Sequence, residues 1–155
     1  MKKVLQEELL RKAIQGEKQA SEFYSKVKEM IINKNSRNLM ESLANEEKKH
    51  KEILEKRYRD LFNKDFEEIP GFIFDENLDI KKLGLSSQSD AIQILSSAIE
   101  AENNAIKFYS DSLKETDSIE DVEILKSLIK FEESHKSRLQ DEYNSVNKNY
   151  IWQIP

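Results

Sequence analysis

Cysteine is absent from this chain, and glycine and proline occur only 3 and 2 times. The absence of cysteine excludes disulfides, thiol catalysis, iron–sulfur clusters and cysteine-ligated zinc. The scarcity of glycine and proline leaves few obligatory breaks, which favours long helices. Any metal ion would therefore have to be bound by carboxylates and by the 2 histidines.

Long apolar runs and an excess of basic residues are lacking as well. No stretch approaches the roughly 18 apolar residues that span a bilayer. The first residues, MKKVLQEELLRK, contain no apolar core of a signal peptide, so we expect a cytoplasmic protein without membrane contact. The net charge of −5 argues against binding to nucleic acid, whose phosphates attract basic patches.

Apolar residues recur at steps of three and four in four segments, which predicts four amphipathic helices. We place the first helix at about Val4–Ile32. The other three are expected to begin at a cap or capping box, namely Ser36, Ser87-x-x-Asp90 and Ser118-x-x-Asp121.

Between about 62 and 89 the helical pattern fails, and a Pro-Gly turn and the cluster Phe72–Phe74 appear. Two short connections and one long middle one describe two helical hairpins joined by a long crossover. That arrangement is an all-α, ferritin-like four-helix bundle. We predict one bundle over residues 1–144, a crossover that packs along it, and an irregular C-terminal tail over 145–155. Phe72–Phe74 are expected to serve packing or dimer contact rather than a cofactor.

The two hairpins repeat one another at an offset of 85 residues. The first helices of the two hairpins match in this way at four positions: Ala13 with Ala98, Glu17 with Glu102, Ala20 with Ala105, and Tyr24 with Tyr109. Without any gap, Leu43, Glu47, His50 and Leu54 correspond to Leu128, Glu132, His135 and Leu139. The repeat therefore pairs the few residues of the core stripes that could carry chemistry.

Each histidine has a glutamate three residues earlier, in Glu47-Lys-Lys-His50 and Glu132-Glu-Ser-His135. This spacing places both side chains on one face of a helix. Glu17 lies within the apolar stripe of the first helix, and Glu102 lies within that of the third. We therefore expect each of the four helices to direct a carboxylate into the shared core.

Four buried carboxylates cannot persist unpaired, because burying one isolated ion costs on the order of tens of kcal/mol. Four ionised glutamates and two neutral imidazoles balance the charge of two divalent cations. Oxygen-rich ligation with one imidazole per metal suits iron or manganese better than structural zinc. The alternative is a metal-free structural bundle that keeps the repeat only as a relic of duplication.

Tyr24 and Tyr109 follow Glu17 and Glu102 by seven residues, two turns along the same helix face. Either each tyrosine is a core aromatic residue, or its hydroxyl donates a hydrogen bond to a ligand carboxylate.

The segments AIQGEKQASEFY, ANEEKKHKEIL, AIEAENNAIKFY and FEESHKSRL resemble the four ligand-bearing helices of rubrerythrin-like di-iron proteins. The resemblance implies that Glu47 and Glu132 bridge two irons. It further implies Glu17 and Glu102 as terminal ligands and one histidine, His50 or His135, on each iron. It implies reduction of hydrogen peroxide or reaction with dioxygen, and a homodimer.

The sequence departs from rubrerythrins in two respects. With no cysteine, we expect no rubredoxin domain, so electrons would come from a separate donor such as a rubredoxin-like protein. The third helix of rubrerythrins also bears a second ligand glutamate, and Ala105 stands at that position. Two functions stay open: a di-iron oxidoreductase acting in oxidative-stress defence, and a protein that binds and oxidises iron in order to handle it.

Overall fold

The computed structural model describes residues 3–153, with side chains as far as residue 148. Within this range the chain forms helices and no strand, which confirms the predicted all-α class. The helices are α1 (Glu7–Lys28), α2 (Lys34–Phe62), α3 (Ile80–Leu83), α4 (Ala91–Ser112) and α5 (Ile119–Gln153). None of the helices in the described residues is both long enough and apolar enough to cross a membrane.

The four long helices pack as two hairpins, α1 with α2 and α4 with α5. A short turn joins the members of each hairpin, and the segment 63–90 crosses over between the hairpins. This confirms the predicted ferritin-like topology. The four-residue helix α3, within the crossover, was not predicted.

Two predicted helix starts need correction. The N-cap of α2 is Asn33, whose side chain accepts the Ser36 backbone N–H at 3.0 Å. Ser36 itself is buried, and its hydroxyl donates to Glu142. Helix α4 starts after Asp90, which accepts the Ile92 N–H, rather than after Ser87. In both helices the true cap lies three residues away from the predicted one, because several short polar residues compete to bond the free N–H groups of a first turn.

The chain after residue 144 also differs from prediction. Helix α5 continues as far as Gln153, where an irregular tail over 145–155 was expected, and residues 154 and 155 lie outside the described residues. No proline or glycine interrupts α5 before that point, so its hydrogen-bonded ladder can extend beyond the last buried turn.

The core is divided into two apolar clusters, one toward each end of the bundle. The first cluster includes Phe23, Val27, Met40, Leu95 and Leu139. The second includes Leu10, Ile14, Leu54, Leu125 and Leu128. A layer of polar residues lies between them, at the middle of all four long helices, and burial of the large apolar side chains on both sides holds that layer in place at about 1.5–3 kcal/mol each.

Hydrogen bonds hold the crossover against α1, which agrees with the prediction that this segment packs along the bundle. The amide of Gln15 bonds both the N–H and the C=O of Ile69, and the amide of Gln19 does the same for Asp75. Arg11 donates to the carbonyls of Glu67 and Glu68. Side chains one turn apart thus replace the backbone partners that an irregular segment lacks.

The crossover brings Phe74 onto α1 at Gly16. A methyl group added at Gly16 would lie 2.9 Å from the Phe74 ring, so this helix position has room only for hydrogen. Phe74 also packs edge-on against Phe108 of α4 at 5.0 Å between ring centroids. It therefore closes the gap between α1 and α4 above the middle of the bundle.

A buried ion pair ties the two hairpins together at one end. Arg57 of α2 donates from Nε to Asp121 of α5 at 2.6 Å, and Asp121 also accepts the Leu5 N–H. Asp121, expected to complete a capping box, is fully buried in this network, whereas Glu120, a second partner of Arg57, is 61% exposed.

We predict that Asp121→Ala lowers the free energy of unfolding by about 3–5 kcal/mol, because Arg57 would remain buried without its closest partner. The matched change Glu120→Ala should cost less than about 1 kcal/mol, since that carboxylate is exposed to solvent. Urea denaturation followed by circular dichroism measures both. Equal losses for the two variants would contradict the assignment of the ion pair.

Candidate metal centre

The polar layer of the bundle contains all six side chains that the sequence predicted as metal ligands. Glu17 comes from α1, Glu47 and His50 from α2, Glu102 from α4, and Glu132 and His135 from α5. Each is at most 3% exposed. The helix periodicity that placed them in apolar stripes therefore brings them into one buried cluster.

The six residues form two overlapping groups whose ligand atoms lie within 4.8 Å of one another. Glu17 and His50 belong to one group, and Glu102 and His135 belong to the other. Glu47 and Glu132 belong to both. Each group could hold a cation, and the two groups would share the two carboxylates of Glu47 and Glu132.

Both imidazoles turn Nδ1 toward the carboxylates. His50 Nδ1 lies 3.2 Å from Glu132 Oε1 and 3.6 Å from Glu17 Oε2. His135 Nδ1 lies 2.7 Å from Glu47 Oε1 and 3.4 Å from Glu132 Oε2. The two rings stack with centroids 5.6 Å apart, so one imidazole faces each of the two positions.

Several oxygen and nitrogen atoms of this cluster, all of them possible metal ligands, are buried without a hydrogen-bond partner. They are Glu17 Oε2, Glu102 Oε2 and His135 Nε2, together with Glu47 Oε1 and His135 Nδ1, which lie 2.7 Å apart but outside hydrogen-bonding geometry. Buried polar atoms are almost always paired, and each unpaired one costs about 1–3 kcal/mol. A cluster of unpaired oxygens and nitrogens around a common point fits two divalent cations, whose coordination would satisfy them.

The two tyrosines reach across the bundle to the opposite hairpin. Tyr24 of α1 donates to Glu102 of α4 at 2.6 Å, and Tyr109 of α4 donates to Glu17 of α1 at 2.5 Å. Burial raises the pKa of each hydroxyl well above its usual value, and the neighbouring carboxylates raise it further. Both hydroxyls therefore stay protonated. Each holds one oxygen of an unshared glutamate in place, that is, of Glu102 or Glu17, which belong to only one group each.

Without a cation, the carboxylates are difficult to ionise together. Burial, and then repulsion from Glu17 and Glu132, raises the pKa of Glu47 well above its usual range. Burial and the charge of Glu132 raise the pKa of Glu102 in the same way. Burial also works to raise the pKa of Glu132, but interactions with the neighbouring Glu102 and the two histidines outweigh it and hold this pKa low.

The histidines take up protons in compensation. Burial alone would lower their pKa values, but the carboxylates outweigh it. The neighbouring carboxylates of Glu132 and Glu17 raise the pKa of His50 to about 9. Those of Glu102 and Glu132 raise the pKa of His135 to about 10. Protons thus partly neutralise the carboxylates in the absence of a metal, and binding of a cation to this cluster would release them.

A small cavity of about 20 Å³ adjoins the carboxylates on the side of α1 and α4. Its walls include Glu17 and Glu102, and the crossover contributes Phe74 and Leu78. Ala105, where rubrerythrins have a further glutamate, also lines it. The cavity has room for a molecule of about the size of water and little more. Phe74, predicted to serve packing, therefore also borders the site.

The sequence did not reveal the residues behind His135. Its Nε2 lies 3.6 Å from Glu46 Oε2, and Glu46 is bonded by Arg138 at 2.8 Å and by Ser42 at 3.3 Å. Burial opposes ionisation of Glu46, but Arg138 and His135 outweigh it and lower its pKa. In the sequence Glu46 is one of many charged residues beside Glu47, and only its mismatch with Phe131 in the repeat sets it apart.

We predict that the metal-free protein loses stability as the pH rises from 7 to 10. The pKa values of His50, His135, Glu47 and Glu102 are all raised by folding, so their stabilising contribution is complete at low pH and is lost as the pH rises through the folded values. Urea denaturation of protein treated with chelator measures the loss. Glu102→Gln should reduce it, because a neutral amide has no proton to lose.

The control is Glu100→Gln, an exposed position on the same helix, which should follow the wild type at every pH. Metal-loaded protein should show little loss over this range. Identical pH profiles for the wild type and Glu102→Gln would contradict a converging cluster of buried carboxylates.

Three solved structures share this fold. A hypothetical protein from Pyrococcus furiosus is 27% identical, with a TM-score of 0.75, and the match covers 96% of this chain and 92% of that one. A candidate ferritin-like diiron-carboxylate protein from Thermotoga maritima is 19% identical, with a TM-score of 0.74, covering 93% and 97%. CopM in its Cu(II)-bound form is 10% identical, with a TM-score of 0.75, covering 90% and 95%. The last two likenesses bear on the fold alone.

Among curated proteins, none matches this chain significantly in sequence. The rubrerythrin family model, in contrast, matches residues 8–143. That range contains all six side chains that the four long helices contribute to the polar layer. The resemblance seen in the four segments is thereby confirmed, and the chain belongs to the rubrerythrin family.

Proposed function

We propose that this protein is a di-iron oxidoreductase that reduces hydrogen peroxide or dioxygen in defence against oxidants. The observation that carries the proposal is the convergence of four buried glutamates and two histidines in two overlapping groups. Carboxylate oxygens with one imidazole per position are the donor set that iron or manganese prefers, and a mixed pair of metals would also fit it.

The cavity beside this cluster supports a small oxidant as the substrate. A space of about 20 Å³, bordered by Phe74 and Leu78, excludes an organic molecule but admits one of very few heavy atoms. When bound, two ferrous ions would supply the two electrons that, with two protons, convert hydrogen peroxide into two molecules of water.

The side chains of the chain itself would position and protect this chemistry. Glu47 and Glu132 would be shared between the two positions, and Glu17 and Glu102 would each serve one. The Tyr109 and Tyr24 hydroxyls hold these last two in orientation. Apolar clusters on both sides keep water from the layer. An external electron donor, such as a rubredoxin-like protein, and association as a homodimer are part of the proposal.

We predict that anaerobic loading with ferrous iron, followed by elemental analysis, gives about two iron ions per chain. The combined substitution Glu47→Ala and Glu132→Ala should abolish binding, because it removes the carboxylates common to both groups. Its fold should survive, since it removes buried charge rather than apolar contacts; circular dichroism checks this.

The matched control is Glu52→Ala with Glu133→Ala, which removes two exposed carboxylates from the same helices. It should bind iron as the wild type does. Iron binding near zero in the wild type, or binding that survives the loss of Glu47 and Glu132, would favour the metal-free structural bundle.

We further predict that stopped-flow mixing shows oxidation of the ferrous protein by hydrogen peroxide or by dioxygen, because the cavity beside the carboxylates admits a molecule of this size. Repeated cycles with a reductant should consume the oxidant while the iron stays bound. Oxidation after which ferric iron leaves the protein would instead favour the iron-handling function.

A further inference from the structure

The two halves of the metal centre differ in what lies behind each histidine. His135 has Glu46 on the side away from the core, with 3.6 Å between its Nε2 and Glu46 Oε2. Arg138 bonds that carboxylate from Nη1 at 2.8 Å and bonds Ser42 from Nη2 at 2.8 Å. Glu46 is therefore held in place as an acceptor from two sides.

His50 has an aromatic neighbour instead. Its ring lies 5.1 Å from that of Phe131, which is 45% exposed. Among the described residues, the carboxylates that pair with His50 are Glu17, Glu47 and Glu132, all of the core itself.

The internal repeat shows that the residues beside the two histidines stand at equivalent positions of the two hairpins but differ in type. At the offset of 85, Glu46 corresponds to Phe131, and Arg138 corresponds to Ile53. One half of the centre thus has a carboxylate with its arginine where the other half has two apolar residues. The six metal-facing residues and the two tyrosines repeat, but the neighbours of the two histidines do not.

This support matters for the strength of a metal ligand. An imidazole that binds a cation through Nδ1 carries its proton on Nε2, and an acceptor at Nε2 fixes the ring and makes the ligand more basic. Glu46 Oε2, now 3.6 Å from Nε2, would accept that proton's hydrogen bond once the two atoms approach to about 3 Å. The ring of Phe131 offers no comparable acceptor.

We propose that the two metal positions are inequivalent, with Glu46 a positioning residue that makes the position of His135 and Glu102 the first to bind a divalent cation. The position of His50 and Glu17 binds second and releases its cation first. The inference rests on the metal centre of the proposed function but is independent of its redox chemistry.

The chain contains only 2 histidines, so each position can be observed separately. We would label the imidazole nitrogens with ¹⁵N, assign the two rings with a His50→Asn variant, and titrate with Zn²⁺ followed by NMR. The first equivalent should shift the His135 nitrogens to the values of a ring metallated at Nδ1 and protonated at Nε2. The His50 nitrogens should follow with the second equivalent.

Two variants test the role of Glu46. Glu46→Ala should weaken zinc binding at His135 by about 10- to 100-fold and remove the order of loading. Phe131→Glu should strengthen binding at His50, so that the two rings shift together. Glu133→Ala, an exposed carboxylate beside Glu132, is the matched control and should leave the order unchanged.

In the wild type, simultaneous shifts or an earlier shift of His50 would overturn the inference, as would an unchanged affinity at His135 in Glu46→Ala. In those cases the metal centre itself would still stand. An absence of zinc binding would overturn the inference, whereas the proposed centre is decided separately by the loading with ferrous iron.

Discussion

Four glutamate side chains meet in the middle of the bundle, out of contact with water, and their mutual repulsion is the constraint to which the neighbouring structure responds. In the metal-free protein, protons reduce this repulsion: the pKa values of Glu47 and Glu102 rise, and both histidines hold an extra proton near neutral pH. Two divalent cations would reduce it further, because they would neutralise the charge and coordinate the unpaired oxygen and nitrogen atoms.

The apolar architecture makes such a costly layer possible. Large aliphatic and aromatic side chains pack above and below it, and the burial of each stabilises the fold by about 1.5–3 kcal/mol. The tyrosines that reach across from one hairpin to the other belong to these clusters and also bond the unshared glutamates. Packing and ligand orientation therefore depend on the same residues.

The asymmetry of the centre has a physical origin in its surroundings rather than in its ligands. A duplicated hairpin supplies matching carboxylates and imidazoles, but Glu46 with Arg138 stands on one side and Phe131 with Ile53 on the other. Two similar ligand sets are thereby placed in different environments.

The sequence by itself determined the four long helices, their pairing into hairpins and the six residues of the polar layer. It could do so because helical periodicity and a gap-free repeat are local patterns that survive without knowledge of contacts. Only the tertiary structure decided which hydroxyl bonds which glutamate, that Asp121 forms an ion pair with Arg57, and that Phe74 borders the site over Gly16. Those features join residues far apart in the chain, or depend on which of several polar residues bonds a given partner. The spacing of residues along the sequence reveals neither.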